Sequence, residues 1–382
     1  MAVAVICEFN PFHNGHQYLL KTAQKITGEP VTAIMSGSFT QRGEVAVCSK
    51  WERAEAALEN GADLVSELPT VYAVANAERF ACGGVSIAKA FSDVNHLAFG
   101  CETDDISALT AACEATECDE VNSIVAEQMK TGAYYPKALE TAVREVCGDE
   151  VADVLTSPNN ILAVEYIRAL KGSSVKPLPV KRVGVSHDSE ALSENFASAS
   201  QLRKMLRAGE SIEPFVPCVP KSITYPELLE RAVLFRLRSM EVEDFRALPE
   251  VGEGLEHRLV QAIGENNSIE EILSAVKTKR YTHARLRRII ACAALGISEG
   301  LQSRSSHYAR VLGFTERGEA LLKNCSFEVV TSPARSLRSG SENSEFLRRD
   351  ILASDLAALA FEEVRPGGSD YLTKIIRKNS AK

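Results

Sequence analysis

The chain has 382 residues, 45% of them hydrophobic and 25% charged, which is typical of a globular protein large enough for two domains. No apolar run approaches the roughly 20 residues of a membrane span, and the net charge of −8 argues against general nucleic-acid coating while allowing a local basic surface. The ten cysteines form no Cys-x-x-Cys pair and the chain starts without a basic leader, so we expect a cytoplasmic protein with reduced thiols and no membrane association.

Strand-like and helix-like segments alternate along the first 200 residues or so. Short β-branched or apolar runs predict strands at 3–7, 31–35, 64–68, 96–99 and 178–183. Helical periodicity predicts helices at 15–25, 50–60, 75–91 and 159–170, and a mostly helical insertion at 106–147. This alternation is typical of βαβ units, so we predict an α/β fold with a Rossmann-like parallel sheet. Ligands bind beyond the carboxyl ends of the strands in such sheets.

Strand signals fade after residue 207, and helical patterns dominate from 223 to 300. We therefore predict a nucleotide-binding catalytic domain at 1–207 and a mainly α-helical domain at 208–382. The oligomeric state is not indicated by any pattern in the chain.

The run Glu8-Phe9-Asn10-Pro11-Phe12-His13-Asn14-Gly15-His16 follows the first predicted strand and opens the first predicted helix. Unpaired backbone N–H groups at a helix start attract phosphate, and Gly15 lets a nucleotide approach the backbone. His13 and His16 are three residues apart, so their rings project to one side of a first helical turn. Two imidazoles there can donate hydrogen bonds to a triphosphate as charge builds on its α-phosphate, with no covalent step on the protein.

Other interpretations of the two histidines are open on the residues alone. A histidine near a helix start more often caps the helix or packs in the core, and His-x-x-His also occurs in metal sites. No further ligand stands at a suitable spacing, so we expect no metal held by protein side chains. The complete run after a first strand is more specific and favours phosphate binding.

Further motifs narrow the class of protein. They are Met35-Ser36-Gly37-Ser38-Phe39-Thr40-Gln41-Arg42-Gly43-Glu44, Ser49-Lys50-Trp51, Gly61-Ala62-Asp63-Leu64-Val65, Glu67-Leu68-Pro69, Phe99-Gly100-Cys101-Glu102 and Pro158-Asn159-Asn160-Ile161-Leu162. With the His-x-Gly-His signature of nucleotidylyltransferases, the chain resembles the bacterial tRNA(Met) cytidine acetate ligase family. The resemblance is dense over the first 205 residues, runs to about residue 300 and is loose in the last 80 or so. Cys101 departs from it, because relatives often have serine there.

The resemblance implies a two-step reaction. Acetate is activated by ATP, with Mg²⁺, as acetyl-adenylate with release of pyrophosphate, and N4 of the wobble cytidine of elongator tRNA(Met) is then acetylated. His13 and His16 would be catalytic. By the resemblance, the ATP site would consist of Ile6, Cys7, Glu8, Phe9, Asn10, Pro11, Phe12, His13, Asn14, Gly15, His16, Gln17, Tyr18, Leu19, Gly100, Arg182 and Asn159, with Asn160 as the alternative to Asn159.

Two weaker motifs also have polar side chains at predicted strand ends or helix starts. Ala197-Ser198-Ala199-Ser200-Gln201-Leu202-Arg203 resembles the Ser-Ser-Thr-x-Ile-Arg motif of nucleotidylyltransferases, so Ser198, Ser200 and Arg203 are candidates for the β- and γ-phosphates. An ordinary Ser cap with a solvated arginine is the alternative. Gln41, Arg42 and Lys50 are candidates for substrate or tRNA contact, or they are solvated surface residues.

The most basic stretch runs from Lys277 to Arg288, with Tyr281 and His283 between its charges. It fits contact with RNA phosphates and bases, although such a run is more commonly a solvated helix face. The candidates for tRNA contact are Lys279, Arg280, Arg285, Arg287 and Arg288. We therefore expect the mainly α-helical domain at 208–382 to bind tRNA.

Two other functions share parts of this pattern. A small-molecule adenylyltransferase of the pantetheine-phosphate or nicotinamide-mononucleotide type has the same histidine motif but is usually more compact. A nucleotide- or RNA-binding regulator without catalysis is the third possibility, and the intact His13, Gly15 and His16 argue against it.

Overall fold

The computed structural model describes residues 1–133, 135–183, 195–252, 254–278 and 280–379. The strands are β1 Ala2–Cys7, β2 Val31–Ser36, β3 Leu64–Leu68, β4 Val94–Cys101, β5 Lys176–Lys181, β6 Tyr308–Thr315, β7 Glu328–Val330 and β8 Ile376–Lys378. The helices of the first half are α1 Asn14–Thr27, α2 Lys50–Glu59, α3 Thr70–Ala73, α4 Ala77–Ala90, α5 Ile106–Glu117, α6 Asp119–Lys130, α7 Tyr135–Cys147, α8 Asp149–Val154, α9 Pro158–Leu170 and α10 Ala199–Arg207.

The second half is mainly helical. Its helices are α11 Glu230–Arg238, α12 Val242–Arg246, α13 Leu255–Glu265, α14 Ile269–Val276, α15 His283–Leu295, α16 Glu299–Gln302, α17 Glu316–Leu322, α18 Pro333–Arg338, α19 Ser344–Ala358 and α20 Ser369–Leu372, with 3-10 turns at Glu213–Phe215 and Pro226–Leu229. No helix within the described ranges combines the length and apolar content that crossing a membrane requires.

The sheet has the strand order β5-β4-β1-β2-β3-β6-β7, and β8 pairs with β6. Strands β1 to β5 are parallel, with β1 in register with β2 from Val3↔Val31 to Cys7↔Met35. The predicted α/β fold with a Rossmann-like parallel sheet is therefore confirmed, and the predicted strands and helices of the first half lie within a few residues of the observed ones.

Helices cover both faces of the sheet because alternate residues of its central strands point to opposite sides. Ala2, Ala4 and Ile6 of β1 belong to the core under α4 and α9, whereas Val3 and Val5 belong to the core under α1 and α2. Burial on both faces explains why the central strands are nearly continuous apolar runs.

The strands that follow residue 208 belong to the same sheet. Strand β6 is buried along its whole length and pairs antiparallel with β3, and β7 and β8 both pair with β6. Residues 208–382 are thus mainly helical, as expected, but they also extend the sheet of the first half. The domain boundary near residue 208 stays a prediction, and any boundary there is crossed by β-sheet hydrogen bonds.

Candidate functional site

The carboxyl ends of β1, β4 and β5 meet the start of α1 and one face of α9 around a cavity of about 140 Å³. Ten of the predicted ATP-binding residues line it: Ile6, Cys7, His13, Gly15, His16, Tyr18, Leu19, Gly100, Asn159 and Arg182. The fold thus brings the motif after β1 together with Gly100, Asn159 and Arg182. This is expected if the ligand binds beyond the carboxyl ends of the parallel strands. We refer to this cavity as the nucleotide pocket.

His13 and His16 cap the first turn of α1 and stack on each other. Nδ1 of His13 accepts a hydrogen bond from the backbone N–H of Gly15 (3.1 Å), and Nδ1 of His16 accepts one from the N–H of His13 (3.3 Å). Their ring centroids are 3.7 Å apart, with an interplanar angle of 21°. A neutral ring whose Nδ1 accepts a backbone N–H carries its proton on Nε2.

The capping contacts therefore do not compete with phosphate binding. They determine the tautomer that makes each ring a hydrogen-bond donor at Nε2, the nitrogen remote from the backbone. The sequence left helix capping and phosphate binding as alternatives, and the geometry makes them compatible. Gly15 belongs to the same arrangement, because a Cβ atom there would lie 3.0 Å from Cε1 of His13.

Apolar packing keeps His16 neutral. The ring of Phe9 lies edge-on to that of His16, with centroids 5.0 Å apart, and Phe12 packs close by at 5.9 Å. Burial is the main cause that holds the pKa of His16 well below its ordinary value of 6.5, followed by the neighbouring His13 and Arg182. His16 is thus a dipolar donor and not a cation at neutral pH.

The loop from Glu8 to Pro11 is anchored away from the pocket. The side-chain oxygen of Asn10 accepts a hydrogen bond from the N–H of Val47 (2.7 Å), and a carboxylate oxygen of Glu8 accepts one from the N–H of Gln41 (2.6 Å). Arg53 is buried and donates to the carbonyl oxygens of Glu8, Ser36 and Gly37 at the ends of β1 and β2. These contacts hold the start of α1 against the sheet.

Several predicted ATP-binding residues accordingly have structural roles and do not line the nucleotide pocket. Asn14 donates to the carbonyl oxygens of Asn195 and Pro214, and Gln17 donates to Asn60. The others in this group are Glu8, Phe9, Asn10, Pro11 and Phe12. The prediction of direct ATP contact by these residues gains no support from the cavity.

The two candidate asparagines of α9 have different surroundings. Asn159 lines the nucleotide pocket and donates from Nδ2 to the carboxylate of Glu102 (2.6 Å). Asn160 is buried, and its side-chain oxygen accepts hydrogen bonds from the N–H groups of Glu102 and Thr103. The geometry thus favours Asn159 for nucleotide contact, while Asn160 holds the loop after β4.

Glu102 contacts two residues that are predicted to bind ATP, Asn159 and Arg182. Its Oε1 accepts from Asn159 and lies 3.9 Å from Nε of Arg182, and its Oε2 is buried with no protein hydrogen bond among the described residues. A carboxylate only accepts, so it forces the amide of Asn159 to turn its NH₂ group toward Glu102 and its oxygen away. Glu102 belongs to the motif Phe99-Gly100-Cys101-Glu102, but its place in the site could not be assigned from the sequence.

Sequence reasoning also missed the apolar wall of the nucleotide pocket. Leu162 and Tyr166 of α9 form this wall together with Phe99, Val180, Val183, Phe196 and Ala197, and Lys181 also lines the pocket. Leu162 and Tyr166 share one helical face with Asn159, so their spacing from Asn159 could have identified them. The others depend on strand ends that meet only in the fold.

The second candidate for phosphate binding, the segment 197–203, contains the N-terminal cap of helix α10. Oγ of Ser198 accepts a hydrogen bond from the N–H of Gln201 (3.1 Å) at the start of α10, and Ala197 lines the nucleotide pocket. Arg203 donates to the carbonyl oxygen of Asn10 (2.9 Å), and burial lowers its pKa. Ser198, Ser200 and Arg203 do not line the cavity, so their phosphate role stays a prediction.

Lys50 is not at the surface. Its side chain is 1% exposed, and Nζ lies 2.7 Å from a carboxylate oxygen of Glu67 and 2.7 Å from one of Asp370. Arg310 pairs with the same two carboxylates, at 3.2 and 2.8 Å. The prediction of a substrate or tRNA contact for Lys50 conflicts with this geometry, because the charge is buried and already compensated. We call these four residues the buried ion cluster.

The loop with Gln41 and Arg42 packs against helix α15. A Cβ atom on Gly43 would lie 2.6 Å from the carbonyl oxygen of Arg287, and Arg287 pairs with Glu44 at 2.9 Å. Arg42 is exposed at the tip of this loop. The structure therefore joins the two predicted tRNA elements into one surface.

The arginines of that basic stretch also stabilise the chain itself. Arg288 forms two hydrogen bonds of 2.7 Å with the carboxylate of Glu250, and Arg285 donates to the carbonyl oxygen of the same residue. Arg280 is exposed and donates weakly to the carbonyl oxygen of Met129 (3.4 Å). Lys279 lies outside the described residues. The geometry thus weakens the prediction of phosphate contact for Arg287 and Arg288, which are already paired.

No metal centre is evident in the part of the chain that the structure describes. Within those ranges, no group of three or more His, Cys, Asp or Glu side chains is placed to hold an ion.

A parallel sheet with a histidine-capped first helix at its carboxyl edge defines a nucleotide-binding protein of the nucleotidyl transferase class. A family model described as HIGH Nucleotidyl Transferase matches residues 1–370. A tRNA(Met) cytidine acetate ligase of Thermoanaerobacter sp. (strain X514) is 34% identical over 98% of this chain and 99% of its own length. That of Caldicellulosiruptor saccharolyticus is 37% identical, covering 95% and 94%.

Solved structures agree with the sequence relatives. The apo crystal structure of Thermotoga maritima TmcAL superposes with a TM-score of 0.90 at 29% identity, with 99% of each chain covered. The crystal structure of the same protein bound with alpha-thio ATP superposes with a TM-score of 0.88. The chain belongs to the tRNA(Met) cytidine acetate ligase family, within the HIGH nucleotidyl transferases, and the resemblance inferred from its motifs is confirmed.

Proposed function

We propose that this protein is an ATP-dependent tRNA acetate ligase. It activates acetate as acetyl-adenylate with release of pyrophosphate and then acetylates N4 of the wobble cytidine of elongator tRNA(Met). The observation that carries the proposal is the stacked pair His13 and His16, whose Nδ1 atoms are both engaged by backbone N–H groups at the mouth of the nucleotide pocket. The names of the relatives and the alpha-thio ATP bound to the Thermotoga protein support the same activity.

In the first step, a carboxylate oxygen of acetate attacks the α-phosphorus of ATP. The bond from that phosphorus to the bridging oxygen breaks, and pyrophosphate leaves. Negative charge builds on the phosphate oxygens, where donors fixed in advance are most effective. The two Nε2–H groups supply such donors, and the stacked rings limit their reorientation. Arg182, one-third exposed at the pocket, adds positive charge.

The neutral state of His16 is consistent with this role. A neutral donor stabilises charge through its dipole and does not take up a proton when phosphate leaves. Protonation of Nδ1 would remove the acceptor for the N–H of His13 and disturb the cap. Mg²⁺ is proposed to enter with ATP, bound by phosphate oxygens and water, and it neutralises phosphate charge when bound.

In the second step, the exocyclic amine of cytidine attacks the acyl carbon of acetyl-adenylate. The bond between that carbon and the phosphate oxygen breaks, AMP leaves, and the amine loses a proton. The amine is a weak nucleophile, which is why an activated acyl group is required. The base must be unstacked to reach the pocket, as an anticodon loop allows. We propose that Gln41, Arg42, Arg280 and Arg285 contribute to tRNA contact on the surface that joins the Gln41 loop to α15. The same role is proposed for Lys279 from the sequence alone.

The activation step has a direct test in acetate-dependent exchange between ATP and labelled pyrophosphate, measured without tRNA. The proposal predicts exchange with acetate and none with nicotinamide mononucleotide or phosphopantetheine. Exchange that depends on either of those compounds would instead identify a small-molecule adenylyltransferase. The absence of exchange with any acid would identify a nucleotide- or RNA-binding regulator.

A further inference from the structure

Helix α9 separates the nucleotide pocket from a second and much larger cleft. Asn159, Leu162 and Tyr166 face the nucleotide pocket, and Ile161, Val164, Glu165 and Arg168 face the cleft. At 3.6 residues per turn these two sets lie on opposite sides of the helix. One helix thus forms a shared wall between the two cavities.

The cleft has a volume of about 1,190 Å³. Helices α6 and α7 of the helical insertion form one side, and residues 250–252 and the start of α15 form the other. Small-molecule sites usually measure roughly 300–1,000 Å³, so the cleft is better matched to a segment of a larger molecule. Nothing in the activation step uses it.

The charge of the cleft contrasts with that of the chain. Among the described residues, five basic side chains and three carboxylates line it, in a chain whose net charge is −8. Arg168 and Arg288 pair with carboxylates, but Arg285 donates to a carbonyl oxygen, which does not neutralise it. Lys130 is exposed at the rim. The charges of Arg285 and Lys130 therefore lie where a polyanionic backbone would run.

The interior of the cleft suits nucleobases. Aliphatic residues form its floor, including Leu139, Leu155 and Val251. Tyr135, at the start of α7, is 50% exposed and lines the cleft, and Arg285 stacks on Tyr281 at 5.0 Å. An exposed aromatic ring beside a basic rim is the arrangement that binds unstacked bases of single-stranded RNA.

We propose that this cleft binds the anticodon-loop nucleotides that flank the reacting cytidine, with one base stacked on Tyr135. The proposal rests on the proposed tRNA acetylation and adds the place where the neighbouring bases lie. The diameter of an α-helix is about 10 Å with side chains, so a splayed loop can reach both sides of α9. One base would enter the nucleotide pocket while its neighbour enters the cleft.

The test compares Tyr135→Ala and Tyr135→Phe with Tyr371→Ala, a variant of another half-exposed tyrosine, on α20. Stacking on an aromatic ring contributes enough that Tyr135→Ala should raise the KM for an unmodified tRNA(Met) transcript about tenfold. Tyr135→Phe and Tyr371→Ala should keep the wild-type KM. Acetate-dependent pyrophosphate exchange without tRNA should be unchanged in all three, which also shows that they fold.

A second pair of variants tests the charge at the rim. Lys130→Glu should raise the KM for tRNA several-fold and make binding less dependent on salt, whereas Lys89→Glu, an exposed site at the far end of α4, should do neither. Ultraviolet crosslinking of an anticodon stem-loop RNA, read by mass spectrometry, should label the peptide that contains Tyr135.

The outcomes separate the two proposals. Wild-type protein without acetate-dependent exchange would overturn the proposed function. Normal exchange and tRNA acetylation, with the KM for tRNA unchanged in both Tyr135→Ala and Lys130→Glu, would overturn the cleft proposal alone. Crosslinking confined to peptides outside the cleft would also overturn it.

Discussion

At the scale of single residues, His13 and His16 cap the first helix in a way that is compatible with the phosphate binding proposed for them. Each ring accepts a backbone N–H at Nδ1, as a helix cap does, and each is thereby set as a donor at Nε2. The motif could be predicted from the sequence because its residues are adjacent in the chain. The tautomers could not, because they depend on hydrogen-bond geometry in the folded turn.

Replacement of one donor should separate activation from tRNA binding. His16→Ala is expected to lower acetate-dependent pyrophosphate exchange by about 100- to 1,000-fold, the usual loss for one donor aimed at developing charge. The affinity for tRNA, measured by filter binding, should stay near that of the wild type. Lys21→Ala, an exposed site on the same helix, is the control. Exchange above a tenth of the wild-type rate in His16→Ala would argue against the role of this ring.

Protonation of His16 should lower the stability of the folded chain. Its pKa lies well below 6.5 in the folded chain and near 6.5 in the unfolded chain, so the unfolded state binds more protons between those values. Its contribution to stability is therefore present above about pH 6.5 and decreases as pH falls through this window. Nuclear magnetic resonance of the labelled imidazole rings should show the Nε2–H tautomer for both histidines and no protonation of His16 at pH 6.5. A His16 ring that is half-protonated at that pH would contradict the account.

Glu102 should act by positioning Asn159 and Arg182. Glu102→Ala removes the acceptor for Asn159 and the charge near Arg182, so the KM for ATP in the exchange reaction should rise about tenfold, with a smaller change in kcat. Glu102→Gln retains an acceptor but no charge and should give an intermediate KM. Glu114→Gln, at an exposed site on α5, is the control. A loss of kcat at unchanged KM would show that Glu102 does not act on nucleotide binding.

At the scale of elements, the alternation of strands and helices up to residue 207 could be predicted because its signals are local. Strand β6 was missed because its neighbour β3 is far away in the sequence and its own pattern is interrupted by Arg310 and Gly313. Arg310 is accommodated in a buried strand because Glu67 and Asp370 compensate its charge. The burial of Lys50 could not be predicted for the same reason, since Asp370 lies near the other end of the chain.

The buried ion cluster should be needed for stability and not for substrate contact. Lys50→Met leaves Glu67 and Asp370 with one cation fewer, which should lower the free energy of unfolding by about 3–5 kcal/mol in urea titrations. Lys89→Met, at an exposed site, should change it by no more than about 0.5 kcal/mol. Unchanged stability with a raised KM for ATP or tRNA in Lys50→Met would instead restore a binding role for this lysine.

At the scale of the whole molecule, one sheet carries the nucleotide pocket at the end of its parallel part and receives strands from the last quarter of the chain. The Gln41 loop connects the two regions, because Glu8 accepts from Gln41 on one side and Glu44 pairs with Arg287 on the other. The loop that follows β1 is thus linked through the Gln41 loop to the surface proposed for tRNA. No sequence pattern predicts that contact, since it joins two loops to a distant helix.

The central claim is that this chain transfers an acetyl group to a tRNA base through acetyl-adenylate. The most direct measurement incubates purified protein with ATP, labelled acetate and unmodified elongator tRNA(Met), followed by nucleoside analysis by mass spectrometry. The account predicts labelled N4-acetylcytidine at the wobble position, dependent on ATP and absent from tRNA in which that cytidine is replaced by uridine. Label that stays in acetyl-adenylate or in another small molecule, with none in tRNA, would contradict it.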